Sequence, residues 1–154
     1  IWKLFLKEQP DAKLHLFGDG PLREEIENLV NSEDLQSSVI FYGWVTNPLD
    51  YIAKADVLVL PSIIEGLPGV ILEAMYCKTL VVANNVGGIS EIIKPNETGF
   101  LVEKGDEFGF AIKMKQAIDF KGDAISNEAF KLVEGNFTNE HIAQQFEKTY
   151  LKIN

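Results

Sequence analysis

The chain has 154 residues, 46% hydrophobic and 24% charged, with 14 Lys+Arg against 23 Asp+Glu and a formal net charge of -9. A chain of this length buries roughly 70% of its unfolded surface, enough for one core and too little for two. Its composition excludes a disordered polymer, a membrane span of ~20 apolar residues, and, with Arg23 as the only arginine, a binder of duplex nucleic acid. One cysteine, Cys77, rules out an internal disulfide framework and fits a reducing compartment.

In chain order, Ile1, Leu4 and Phe5 recur at helical spacing, so the sequence opens inside an amphipathic helix with no cap before it. Five short apolar runs follow, at 13–17, 39–42, 57–60, 80–83 and 99–102. Most lack clean polar alternation, the pattern of strands covered on both faces. Helical stretches separate them at 22–30, 48–55, 70–77 and 89–93, and three more follow at 107–120, 124–134 and 139–153. Alternation of this kind predicts an α/β, Rossmann-like doubly wound parallel sheet with a helical carboxyl terminus, in a single domain over 1–154. A helix at the very start of such a pattern needs a strand before it to cover its apolar face. The expectation is a fragment without its first strand: five strands, with the slot between the first and third runs vacant or closed up.

Two segments could carry chemistry. In Phe17-Gly18-Asp19-Gly20-Pro21-Leu22-Arg23, glycines follow a strand and Pro21 suits a first helical turn, so free amides there could receive phosphate. As a dinucleotide fingerprint it fails, because Arg23 stands at the third glycine position and no acidic residue ends the next strand. The alternative is an ordinary strand-to-helix turn.

The second segment is Pro61-Ser62-Ile63-Ile64-Glu65-Gly66-Leu67-Pro68-Gly69-Val70-Ile71-Leu72-Glu73-Ala74-Met75. It follows the most apolar run, so its loop opens at the carboxyl edge of the sheet, where open α/β sheets bind ligands. Gly66, Pro68 and Gly69 turn the backbone just before a helix whose first amides can seat an anion such as a diphosphate. Glu65 and Glu73 stand eight residues apart across that turn, each able to accept two hydrogen bonds from sugar hydroxyls. The plainer alternative is that Glu65 caps the turn and Glu73 complements the helix dipole.

This segment resembles the Glu-x7-Glu motif of retaining nucleotide-sugar glycosyltransferases of the GT-B type, group 1 / family 4. That group includes bacterial capsule and lipopolysaccharide mannosyl- and glucosyltransferases. The resemblance covers nearly the whole chain: Asp11 through Pro21, Val39 through Val45, Ala55 through Met75, Val81 through Glu91, and Thr98 through Val102, in order. It implies the carboxyl-terminal, donor-binding half of a two-domain enzyme that transfers a sugar from a nucleotide-diphosphate sugar to a glycan, lipid or other acceptor with retention, in surface polysaccharide or glycoconjugate synthesis.

By position, the resemblance implies that Glu65 holds a hydroxyl of the transferred sugar near the reacting face and Glu73 the ribose. Backbone at Gly66, Leu67, Pro68, Gly69 and Val70 would meet sugar and diphosphate. Gly43, Trp44 and Val45 would lie against the base, and Gly18 to Gly20 would line the same pocket. It implies no metal, a missing amino-terminal acceptor domain as partner, and a cytoplasmic location, reaching the inner face of the membrane only through that missing half. The group's Arg and Lys that clamp the diphosphate follow a strand absent here, and Lys54, Lys78 and Lys94 read as solvated. Ser90 stands where the group has Pro, as a helix cap. His15 and His141 read as structural and Cys77 as packing. Ile142, Phe146, Thr149 and Tyr150 share a helix stripe that either packs toward a partner domain or joins the core. Two other readings are a non-catalytic nucleotide-sugar binding or scaffold domain of the same fold and, ranked last, a flavodoxin-like module.

Overall fold

The computed structural model describes residues 1–151. Its strands are β1 (Leu14–Phe17), β2 (Val39–Gly43), β3 (Val57–Leu60), β4 (Leu80–Asn84) and β5 (Phe100–Val102). Its helices are α1 (Trp2–Phe5), α2 (Arg23–Ser32), α3 (Leu49–Ile52), α4 (Gly69–Tyr76), α5 (Ile89–Ile92), α6 (Glu107–Asp119), α7 (Ala124–Asn136) and α8 (Asn139–Leu151). Each apolar run becomes a strand within a residue or two of its expected ends. The stretch expected to be helical over 48–55 contracts to α3, closing in turns at Ala53 and Lys54. The opening helix exists: Ile1 stands at its start without a side-chain cap, and backbone bonds from Glu8 and Gln9 to Phe5 carry the turn on. The last residues of the helix expected over 139–153 lie outside the described residues.

All strand pairs are parallel, as crossover helices require. The sheet is in two parts, β1–β2 and β3–β4–β5, with no ladder between them among the described residues, so β3 is an edge strand. Val57 to Leu60, apolar throughout, are therefore only half-buried along their whole length.

The larger part shows why its strands are apolar without alternation. Leu58, Leu60, Val81, Ala83 and Leu101 point to a cluster built from Ile71, Ala74 and Met75 of α4, Ile89 and Ile92 of α5, and Ala129 and Val133 of α7. Their neighbours Val57, Val59, Val82, Phe100 and Val102 point the other way, to Phe5 of α1 and to Phe110, Ala111, Met114 and Ala117 of α6. With side chains alternating across a sheet buried on both faces, every position is apolar. The result is an α/β/α sandwich.

The smaller part is thinner. A register shift between Leu16 and Phe17 pushes Tyr42 out of the ladder, and its ring stacks on Phe17 at 4.7 Å and meets Tyr51 of α3 at 5.3 Å. His15 is exposed, and its Nδ1 lies 3.0 Å from the Tyr42 hydroxyl, which fits a structural role. The indole of Trp2 donates to Ser38 Oγ at 3.0 Å, tying this part to α1.

Two local expectations are corrected. Ser90 is not a cap: it lies inside α5, whose cap position is Gly88, because the Gly87-Gly88 turn starts the helix two residues sooner. The core alternative for the α8 stripe is not realised either. No described residue of α8 is buried, and Ile142, Phe146 and Tyr150 are all exposed, because α8 follows α7 away from the two core clusters and supplies no described residue to either.

Helix α6 is capped by Asp106, whose Oδ1 accepts from the Gly109 N–H at 2.8 Å. Asp106→Ala should lower stability by about 1 kcal/mol and Asp106→Ser should restore most of it, read from urea midpoints at unchanged slope. A midpoint unaffected by Ala would show that the cap contributes nothing.

Candidate functional site

Because the strands are parallel, the loops that follow them gather at their carboxyl ends. After β1 and β2, the Gly18 N–H donates to the Gly43 carbonyl at 2.7 Å, holding the two turns side by side. Gly43 adopts a φ of +66°, a left-handed conformation that a side chain would strain, and a Cβ there would stand 3.3 Å from Arg23 Nη1. The turn delivers Trp44 to solvent at 82% exposure, beside the half-buried Val45. Gly20 is exposed and its N–H is taken by Asp19 Oδ1 at 2.8 Å. The only arginine is committed locally: its Nε meets Glu27 at 2.8 Å, Nη1 faces Asp19 at 3.7 Å, and the guanidinium lies over the Phe41 ring. Arg23 is therefore already neutralised by carboxylates.

After β3, residues 61–68 form an open loop that ends on buried Pro68, the cap position of α4. Pro68 has no side-chain oxygen, so it caps none of the first amides. The N–H groups of Gly66, Leu67, Gly69 and Val70 have no hydrogen-bond partner among the described residues, and they mark the positive end of α4. Ile71, Ala74 and Met75 anchor the opposite side of the helix in the core, which fixes where those amides lie.

Neither plainer reading of the two carboxylates is realised. Glu65 is half-buried, yet its side chain caps nothing and pairs with nothing among the described residues. Glu73 is exposed in the second turn of α4, beyond the first turn where a charge best complements the dipole. Both stand as unengaged hydrogen-bond acceptors on either side of the free amides.

Cys77, just past α4, is half-buried against the core, and its thiol is pushed up from its usual value by burial and then by the nearby Glu73 carboxylate. That suits packing rather than nucleophilic attack. Lys54, Lys78 and Lys94 are exposed; Lys78 lies over the Phe130 ring, and Lys94 Nζ reaches only the Ser90 carbonyl. His141, exposed on α8, has its Nδ1 2.9 Å from Thr138 Oγ1.

The structure thus brings Glu65 through Val70 and Glu73 together on one loop and helix, and Gly18, Gly43 and Trp44 on another pair of turns. No described hydrogen bond joins the two groups. One contact had no assigned role in the sequence. The Gly87-Gly88 turn after β4 lies directly against the Glu65-Gly66 backbone, with the Gly88 N–H donating to the Gly66 carbonyl at 2.9 Å. The available signal was a Gly-Gly pair closing an apolar strand. An open groove of ≈ 730 Å³ lies elsewhere, lined by residues such as Phe5, Phe108 and Ile112, away from both carboxylates.

A family model for "Glycosyl transferases group 1" matches residues 1–119. The chain belongs to the group 1 glycosyl transferases. Among relatives of this family, N-acetyl-alpha-D-glucosaminyl L-malate synthase of Bacillus anthracis is 36% identical over 148 residues, 93% of this chain and 38% of its own length. A Campylobacter jejuni alpha-1,4-N-acetyl-D-galactosaminyltransferase, named for a diphospho-undecaprenol-linked acceptor, is 32% identical over 149 residues, 94% of this chain and 40% of its own. The sucrose-phosphate synthase structure from Thermosynechococcus elongatus superposes on 97% of this chain and 40% of its own with a TM-score of 0.86 at 29% identity. The group 1 chain described here thus has the fold of a carboxyl-terminal GT-B domain and spans about two fifths of the length of these relatives. None of its described helices is long and apolar enough to cross a membrane.

Proposed function

We propose that this chain is the donor-binding half of a retaining glycosyltransferase, in which Glu73 holds the ribose of a nucleotide-diphosphate sugar and Glu65 a hydroxyl of the sugar to be transferred. One observation carries the reading: two carboxylates without protein partners flank the uncapped amino terminus of α4. The amides of Gly69 and Val70 at the start of α4 receive the diphosphate, whose growing charge during transfer they stabilise as fixed donors, and Gly66 to Pro68 form the loop that joins Glu65 to them. Gly43, Trp44 and Val45 meet the base, and Gly18 and Gly20 line the same edge. No metal is required of these residues.

The acceptor site and the cations that clamp the leaving diphosphate belong to chain outside these residues. Three features support that part of the reading. Arg23 is spent on Asp19 and Glu27, the net charge is -9, and no ladder joins β1–β2 to β3–β4–β5 among the described residues. The relatives named for alpha-linked N-acetylhexosamine transfer make UDP-N-acetylglucosamine and UDP-N-acetylgalactosamine natural first probes.

The test is a titration of the 154-residue chain with UDP-, GDP- and ADP-linked sugars, followed by amide NMR shifts, alongside an assay of sugar transfer. Saturable binding of a member of the panel is expected, with shifts at residues 66–73 and displacement by the free nucleoside diphosphate. Transfer to added acceptors should be undetectable. Failure of every nucleotide sugar to bind removes the donor-site reading, and appreciable transfer by this chain alone removes the half-enzyme part.

A further inference from the structure

Glu65 owes its position to the main chain, because its side chain makes no hydrogen bond among the described residues. That main chain is tethered by the segment Asn84–Gly88 between β4 and α5. Asn84, 5% exposed, donates from Nδ2 to the Ser62 carbonyl at 3.2 Å. Four residues on, the Gly88 N–H donates to the Gly66 carbonyl at 2.9 Å. Between these tethers Gly87 turns with a φ of +56° directly under the Glu65 peptide. A Cβ on Gly87 would stand 1.9 Å from the Glu65 carbonyl oxygen and 2.8 Å from its carbon, and a Cβ on Gly88 would stand 2.9 Å from the Gly66 oxygen. The obstructing atoms are backbone, so no side-chain rotation relieves the overlap, and the loop must move by about 1 Å. Displacements of that size are enough to cost roughly a hundredfold in a positioned group.

We propose that the Gly87-Gly88 turn is a positioning element for sugar recognition, setting through direct backbone contact where Glu65 meets the donor. The inference rests on the reading of Glu65 given above and adds a second pair of residues to it. Glu73 and the α4 amides are held independently, through Ile71, Ala74 and Met75 in the core. Disturbing the turn therefore separates sugar recognition from nucleotide recognition.

The experiment compares Gly87→Ala, Gly87→Asn, Gly88→Ala, Glu65→Gln, the Gly87→Ala/Glu65→Gln double variant and the control Gly122→Ala. Each is titrated with UDP-N-acetylglucosamine and with UDP, or with whichever panel pair binds the parent chain. Gly87→Ala should raise the dissociation constant of the nucleotide sugar by about tenfold or more and leave that of the diphosphate within about twofold. Asn tolerates a left-handed φ but carries the same Cβ, so Gly87→Asn should match Ala rather than rescue it. Gly122 has a φ of +93° with no atom within 4 Å of a Cβ, so its Ala variant carries the strain without the contact and should leave binding unchanged. On a Glu65→Gln background Gly87→Ala should add no further loss, since both act through one carboxylate.

Amide shifts of residues 62–67 read the same contact without ligand. They should move in Gly87→Ala and in the milder Gly88→Ala, which serves if the first variant does not fold. Unmoved shifts, a retained sugar affinity, rescue by Asn, or additive losses in the double variant would each overturn the proposal. A parent chain that binds none of the panel while Gly87→Ala still moves those shifts would instead overturn the donor-site reading.

Discussion

Glu73→Ala is expected to raise the dissociation constant for a nucleotide sugar and for its nucleoside diphosphate alike, by about tenfold to a hundredfold, with the fold unchanged. The side chain projects from α4 into solvent, opposite the face that Ile71, Ala74 and Met75 bury. Ala is at least as good a helix former as Glu, so the change in stability should stay within about 0.5 kcal/mol. A charge-assisted hydrogen bond is worth about 1.5–3 kcal/mol, and because both ribose hydroxyls regain water when this exposed carboxylate is removed, the expected loss is about one such bond. Glu65→Gln should weaken only the nucleotide sugar, because the diphosphate alone does not reach it. The pair of results is diagnostic: equal effects of the two substitutions on both ligands would contradict the separate roles. Cys77 supplies an internal reporter. Its thiol is raised by burial and, second, by Glu73, so removing that carboxylate lowers it and speeds alkylation at a fixed pH near 8. An unchanged alkylation rate would show that Glu73 does not act on the thiol.

Phe110→Ala should destabilise the chain by about 3–5 kcal/mol, enough to unfold a large part of it at ordinary temperature. Phe110 is 1% exposed on α6, where it fills the layer between Phe5 of α1 and the Val82, Phe100 and Val102 side of the sheet. Deleting the ring leaves a cavity that α6 cannot close, since Met114 and Ala117 are already packed one and two turns along. Urea unfolding followed by circular dichroism measures the loss. A shift worth less than about 1 kcal/mol would mean that the α1–α6 layer is not part of the cooperative core.

Most of the sheet was legible because both its faces are covered. Leu80 to Ala83 and Val57 to Leu60 are apolar at every position, and unbroken apolar runs of strand length with glycine or proline near their ends have few other uses. Helix ends were less legible, as α3 and Ser90 show, because the stopping point of a short helix depends on the turn beside it. For Ser90 that turn is Gly87-Gly88, held on a loop more than twenty residues away in sequence. The α8 stripe reads as a packing face by its spacing, yet spacing carries no information on whether another layer lies opposite.

The candidate site divides in the same way. Glu65, Gly66, Pro68, Gly69 and Glu73 lie within nine residues, so their relation across one turn is local and the sequence by itself determined it, together with the strand–helix order and the family. Only the tertiary structure decided that Pro68 leaves the α4 amides uncapped, that Arg23 is tied up by Asp19 and Glu27, and that Gly87 supports the Glu65 peptide. The last of these exists because β3 and β4 are paired neighbours, which carries the loops at their carboxyl ends to within backbone contact. A pairing between strands is a property of the packed chain, and no local preference in either loop specifies it.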